Sequence, residues 1–162
     1  IRLGASGKII SSFDMARTLA LGADWCNSAR AFMFAIGCIQ AQQCHTGRCP
    51  TGVATQDPER QRALVPLDKA PRVAHFHKNT LHALAELLQA SGLQHPKDLT
   101  ATHIACRTAE HQISLLSSLY PGITPGSLLT GDLQRPVFQI GWPMARAESF
   151  APVTALDAII AH

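Results

Sequence analysis

The sequence predicts an α/β chain built on parallel strand–helix units, and three observations carry this. Strand and helix signals alternate from Ile1 to about Ile36, in the order strand, Gly-rich turn, helix, strand, helix. An irregular loop with three cysteines follows, and then an amphipathic stretch that ends at Gly92. With 162 residues, the chain has the length of one ordinary domain. It is too short for a closed (β/α)8 barrel, which needs roughly 200 residues or more.

Ile1-Arg2-Leu3-Gly4 reads as the end of a strand entered from upstream, so a longer chain is expected. Ser11 or Ser12 is a plausible N-cap, and Asp14 sits in the first turn, where the helix dipole favours a carboxylate. Phe13, Ala16, Leu19 and Ala20 recur at helical spacing, and Gly22 ends that helix in a left-handed conformation. Asp24-Trp25-Cys26-Asn27-Ser28 suits a short buried strand, and Ala29 to Ile36 a second, mostly apolar helix. In the next region Val73, Phe76, Thr80, Leu84, Leu87 and Leu88 line one side of a helix that must pack on something. His75, His77 and His82 lie near it and read as a solvated or half-buried face rather than a metal site. The organisation is therefore 1–57 with the strand–helix units and cysteine loop, 58–92 with the amphipathic helix, and 93–162 as a mostly helical tail. Within that tail Thr102–Cys106 and Val137–Ile140 are short enough to be strands.

Hydrophobic residues at 46% and charged residues at 15% fit a globular chain and exclude the signature of disorder. A net charge of +3, without any Lys/Arg run, argues against nucleic-acid binding. No run of about 18 apolar residues is present to span a membrane, and no signal-peptide pattern opens the chain. Five cysteines argue against a paired disulfide framework and for a reducing, cytoplasmic compartment. Cys26 and Cys106 read as small buried apolar residues.

Two turns are suited to an anion. Gly4-Ala5-Ser6-Gly7-Lys8 follows a strand, and its glycines let backbone N–H groups approach a phosphate. After the second strand, Ala29-Arg30 opens a helix whose free N–H groups and dipole face the same way, and Arg30 could add a charge-assisted bond. Two such units in succession are what the last strands of a phosphate-binding barrel present.

Cys38-x5-Cys44-x4-Cys49, closed by Pro50, is the metal signal. Thiolates at this spacing can wrap one compact centre, and their softness favours iron–sulfur or zinc. A cubane lacking one corner iron needs three protein thiolates. Zinc needs a fourth ligand, from His45 or elsewhere, although neighbours such as Cys44 and His45 rarely share one tetrahedral ion. Three reduced thiols without metal remain a third reading.

These residues resemble the glutamate synthase family. Gly7-Lys8-Ile9-Ile10, Phe13-Asp14-Met15-Ala16-Arg17, Leu21-Gly22-Ala23-Asp24 and Ala29-Arg30-Ala31-Phe32-Met33 are similar to the end of its FMN-binding barrel. Gly37-Cys38-Ile39-Gln40 and the run from Cys44-His45-Thr46-Gly47-Arg48-Cys49-Pro50 to Asp57 are similar to its cluster loop. Phe76-His77-Lys78-Asn79-Thr80 and His95-Pro96 to Leu99 resemble its shorter, stand-alone FMN-binding members.

The resemblance implies the last two βα units of a TIM (β/α)8 FMN-binding barrel, with FMN and a [3Fe-4S] cluster as cofactors. It makes Gly7, Lys8, Ala29 and Arg30 candidates for the FMN phosphate, and Cys38, Cys44 and Cys49 the cluster ligands. It implies reduction of 2-iminoglutarate, from 2-oxoglutarate plus ammonia, to L-glutamate. NAD(P)H or ferredoxin would donate the electrons. The family's glutaminase domain has no counterpart here, so ammonia is expected from a separate subunit or from solution. The family's 2-oxoglutarate clamp lies mostly on earlier strands, so no catalytic acid or base is assigned. Two alternatives stand beside this reading. One is a zinc-stabilised structural or interaction module. The other is an FMN oxidoreductase of the same barrel type acting on another substrate.

Overall fold

The computed structural model describes residues 1–145 and 147–150, and these divide into two compact units, one of residues 1–121 and one that begins at Gly122. In the first, β1 (Gly4–Ser6) and β2 (Trp25–Asn27) pair in parallel, with Gly4 opposite Trp25 and Ser6 opposite Asn27. The connection between them is α1 (Ser12–Ala20), so the predicted parallel strand–helix order is present. The strand lies further on than Ile1–Gly4 suggested. Gly4 belongs to it rather than to the turn, because the Trp25 indole packs where a Gly4 side chain would sit. β2 is not a buried strand: Trp25 is 47% exposed, since β1 and β2 are each other's only partners among the described strands.

Helix α1 starts where its capping chemistry dictates. The Ser11 hydroxyl accepts from the Asp14 N–H, and the Asp14 carboxylate accepts from the Ser11 N–H at 2.9 Å. The bonds that this carboxylate accepts from the Ser11 N–H and hydroxyl, then that from the Ile10 N–H and the nearby Arg17, hold it below its ordinary range. Gly22, at φ +106°, takes the left-handed position that ends the helix. Helix α2 (Ala29–Ala35) follows β2 directly.

Beyond the cysteine loop, α3 (Pro58–Gln61) is a single turn capped by Asp57, and α4 (Pro66–Ala90) is the longest element. Leu84 and Leu88 are buried, Val73, Phe76, Thr80 and Leu87 half-buried, and His75, His77 and His82 exposed. The apolar stripe and the solvated histidine face are thus as the spacing predicts. The core joins Ala16 and Ala20 of α1 to Leu84 and Leu88 of α4, closed by Leu99, Ile104 and Leu116. Further along α4, Phe76 meets Phe32 of α2 edge-on, ring centroids 5.3 Å apart.

The tail corrects one expectation: its described residues are not mostly helical. β3 (Ala105–Ala109) and β4 (Gln112–Leu115) form an antiparallel hairpin, followed by α5 (Leu116–Leu119). His111, at φ +63°, turns the chain between them. Cys106 packs against the core from β3. Only part of Thr102–Cys106 is strand, because 101–103 close as a helical turn capped by Thr100. In the second unit, Val137–Ile140 lies within α6 (Pro136–Gly141), started by Pro136 at its first position. Among the described residues no helix is long and apolar enough to cross a membrane.

Candidate cofactor and metal site

The parallel register sets the C-terminal ends of β1 and β2 side by side, and with them the Gly7-Lys8 turn and the start of α2. Gly7 and Lys8 both have positive φ, +107° and +54°, a backbone state that can turn successive N–H groups to one side. The Ser28 hydroxyl donates to the Ile9 carbonyl at 2.7 Å and so ties the two turns together. Because it is used there, Ser28 does not cap α2. The first N–H groups of that helix then have no intrahelical partner. The start of α1 differs, since its own Asp14 carboxylate fills the anion position.

The chain leaves α2 through Gly37 (φ +106°) and enters the cysteine loop, where Gln40 and Gln42 also have positive φ. Cys38, Cys44 and Cys49 line one cavity of about 230 Å³. Arg30, Met33 and Phe34 of α2 form another part of its wall, with Thr51 beyond Pro50. All five cysteines are free thiols. Cys49 is buried, Cys38 partly so, and Cys44 exposed.

Among the described residues, no three Cys, His, Asp or Glu side chains are grouped so as to hold a single metal ion. His45 sits beside Cys44 in an exposed one-turn helix, 44–46. What the fold does bring together is the three cysteines along the wall of one cavity. Three thiols lining one space are the donor set that a cluster of the kind the resemblance implies would require.

Cys49 has the most specific environment of the three. Its sulfur lies 3.5 Å from the Thr51 hydroxyl. That hydroxyl, then the backbone N–H groups of Ala54 and Thr51, lower its thiol from 9.0 to about 7 against the opposing effect of burial. A thiolate is the form that ligates iron, so the donor set fits the group. Cys26 and Cys106 are half-buried, not fully buried as expected, and burial pushes the Cys26 thiol up.

The bracing around the loop was not read from the sequence. Buried Thr55 donates to the Gly47 carbonyl and accepts from the Asp57 N–H at 3.1 Å. Gln61 Nε2 donates to the Thr55 carbonyl at 2.9 Å, and Arg60 reaches the Arg48 carbonyl at 3.4 Å. The single turn of α3 thereby holds the Gly47–Cys49 segment from behind. The Asp57-Pro58-Glu59 start signal would have located α3, but no local pattern shows which loop its side chains brace.

Residues 1–94 match the conserved region in glutamate synthase. The chain belongs to the glutamate synthase family. It is 39% identical over 119 residues to the glutamate synthase large subunit-like protein YerD of Bacillus subtilis, covering 74% of this chain and 23% of that protein. It is 43% identical over 93 residues to an archaeal NADPH glutamate synthase of Methanocaldococcus jannaschii, covering 57% and 18%. A third relative, the archaeal-type NADPH glutamate synthase of Thermotoga neapolitana, is 33% identical over 114 residues, covering 68% and 22%. The chain thus spans about a fifth of the length of these glutamate synthases. No solved structure matches it.

Proposed function

We propose that this chain is the FMN-phosphate and cluster-binding part of a glutamate synthase-type oxidoreductase. It would supply the last two βα units of a (β/α)8 barrel within residues 1–57, with α4 packed outside them and 93–162 as an accessory tail. The observation that carries this reading is the shared cavity: Arg30, in the first turn of α2, lines the same space as the three cysteines. Family membership supplies the chemical class.

When bound, FMN would supply hydride chemistry toward 2-iminoglutarate, and the [3Fe-4S] cluster would bring it single electrons from NAD(P)H or ferredoxin. This chain's own residues bind and orient. Gly7 and Lys8 offer backbone donors to the phosphate, and Ala29 offers the first N–H of α2. Arg30 adds a charge-assisted bond and neutralises phosphate charge. Cys38, Cys44 and Cys49 hold the cluster, and burial keeps water from the Cys49 sulfur. The 2-oxoglutarate contacts and the ammonia source belong to other parts of the protein or to another subunit. Free thiols throughout accord with a reducing, cytoplasmic setting.

Replacing Cys38, Cys44 or Cys49 with serine should abolish bound iron, whereas Cys26→Ser and Cys106→Ser should keep it. Equal iron in the wild type and Cys44→Ser would refute the ligand assignment. Arg30→Ala should weaken FMN by roughly 1.5–3 kcal/mol, the scale of a hydrogen bond to a charged group. Riboflavin, which lacks the phosphate, should be far less affected. Fluorescence titrations giving equal losses for both would contradict the phosphate site.

A further inference from the structure

We propose that Thr51 is a positioning residue that sets the reduction potential of the cluster by donating its hydroxyl to the Cys49 sulfur. The proposal rests on the cluster reading above and goes beyond the three ligands. The Thr51 Oγ1 to Cys49 Sγ distance is 3.5 Å, within hydrogen-bond range for sulfur. In a free thiol either atom can donate. Ligation to iron removes the thiol proton, so in the loaded protein only the hydroxyl can be the donor.

The surroundings favour a persistent bond. Cys49 is buried, Thr51 is half-buried, and both line the cavity. Water therefore competes poorly for the hydroxyl, and the local dielectric strengthens the bond. The backbone that follows Thr51 is held in place. The Gly52 N–H donates to the Cys49 carbonyl at 3.4 Å. Gly52 itself sits at φ +78° against the Arg60 carbonyl of α3. The α3 turn thus holds Thr51 in place, as it holds Gly47–Cys49 from the other side through Thr55.

Hydrogen bonds to ligand sulfurs are among the factors that set iron–sulfur potentials. A [3Fe-4S] cluster takes up one electron with no bond made or broken, and the added negative charge spreads onto its sulfurs. A donor at the Cys49 sulfur stabilises this reduced state more than the oxidised one. The Thr51 hydroxyl should therefore raise the potential.

The test uses the gene-encoded polypeptide reconstituted anaerobically with iron and sulfide, as wild type, Thr51→Val and Thr51→Ser. Iron and sulfide are quantified, and the midpoint potential is read by EPR during a dithionite titration, dithionite supplying the electron. Valine keeps the shape of threonine without the hydroxyl, and serine keeps the hydroxyl. The expected result is full iron in all three, with the Thr51→Val potential shifted negative and Thr51→Ser near wild type. Loss of iron from Thr51→Val alone, with its circular dichroism unchanged, overturns the proposal, because the hydroxyl would then be needed to retain the cluster and not to set its potential. An unchanged Thr51→Val potential at full iron overturns the role of Thr51 and leaves the cluster reading intact. Failure of serine and valine alike to hold iron overturns it too. A wild type without iron overturns the cluster reading and the proposal together.

Discussion

Ser11 accepts from the Asp14 N–H, and replacing it with alanine removes that bond while leaving the rest of α1 unchanged. The expected loss is about 1 kcal/mol, seen as a lower thermal midpoint. This cap was legible from the sequence because both partners lie within one helical turn. Gly52 was not legible, because its constraint comes from Arg60 in α3 as well as from its own φ of +78°. Gly52→Ala should cost roughly 1–3 kcal/mol through strain at that φ, and more if the Arg60 carbonyl cannot retreat; chemical denaturation measures it. Cys49 makes a prediction about pH. Its thiol is lowered to about 7 in the fold from an ordinary 9.0. An acid whose folded value is depressed adds stability that is complete above its unfolded value and lost as pH falls through its folded one. In the metal-free chain this contribution is therefore present above pH 9.0 and gone below about 7. The ultraviolet absorbance of thiolate should show one cysteine titrating near neutrality, and Cys49→Ser should remove that step.

At the scale of elements, α4 separates what periodicity shows from what it hides. The stripe ending in Leu84 and Leu88 was legible because burial follows the helical repeat. The helix start was not, since proline is a helix breaker, yet Pro71 lies inside α4, just beyond its first turn. Leu84→Ala should cost about 2–5 kcal/mol as a cavity in the core. His75→Ala and His82→Ala should change stability by less than about 0.5 kcal/mol, because the His82–Glu86 contact at 3.6 Å is solvent-exposed. The β3–β4 hairpin escaped the sequence reading for a different reason. Its turn uses Glu110-His111 instead of a Gly or Asn signal, and the register slips between Arg107 and Ala109.

At the scale of the whole molecule, the two parallel strands have no further strand partner among the described residues, which leaves backbone donors and acceptors along the edges of a sheet type usually buried in larger proteins. Leu3 and Trp25 are 61% and 47% exposed on these strands or beside them. The isolated 162 residues should therefore self-associate and bind FMN weakly, and sedimentation with flavin titration would check both; a monomer with tight FMN would be the contrary outcome. The cysteine spacing made the candidate ligands legible, but not the cavity they share with Arg30, because α2 and the loop meet only through the tertiary fold. The most direct measurement is iron and sulfide analysis with EPR of the air-oxidised, gene-encoded protein, beside its Cys44→Ser variant. The account predicts iron and sulfide in the ratio of a [3Fe-4S] cluster, with its EPR signal, in the wild type and neither in the variant. Stoichiometric zinc without sulfide, or iron retained after Cys44→Ser, would contradict it.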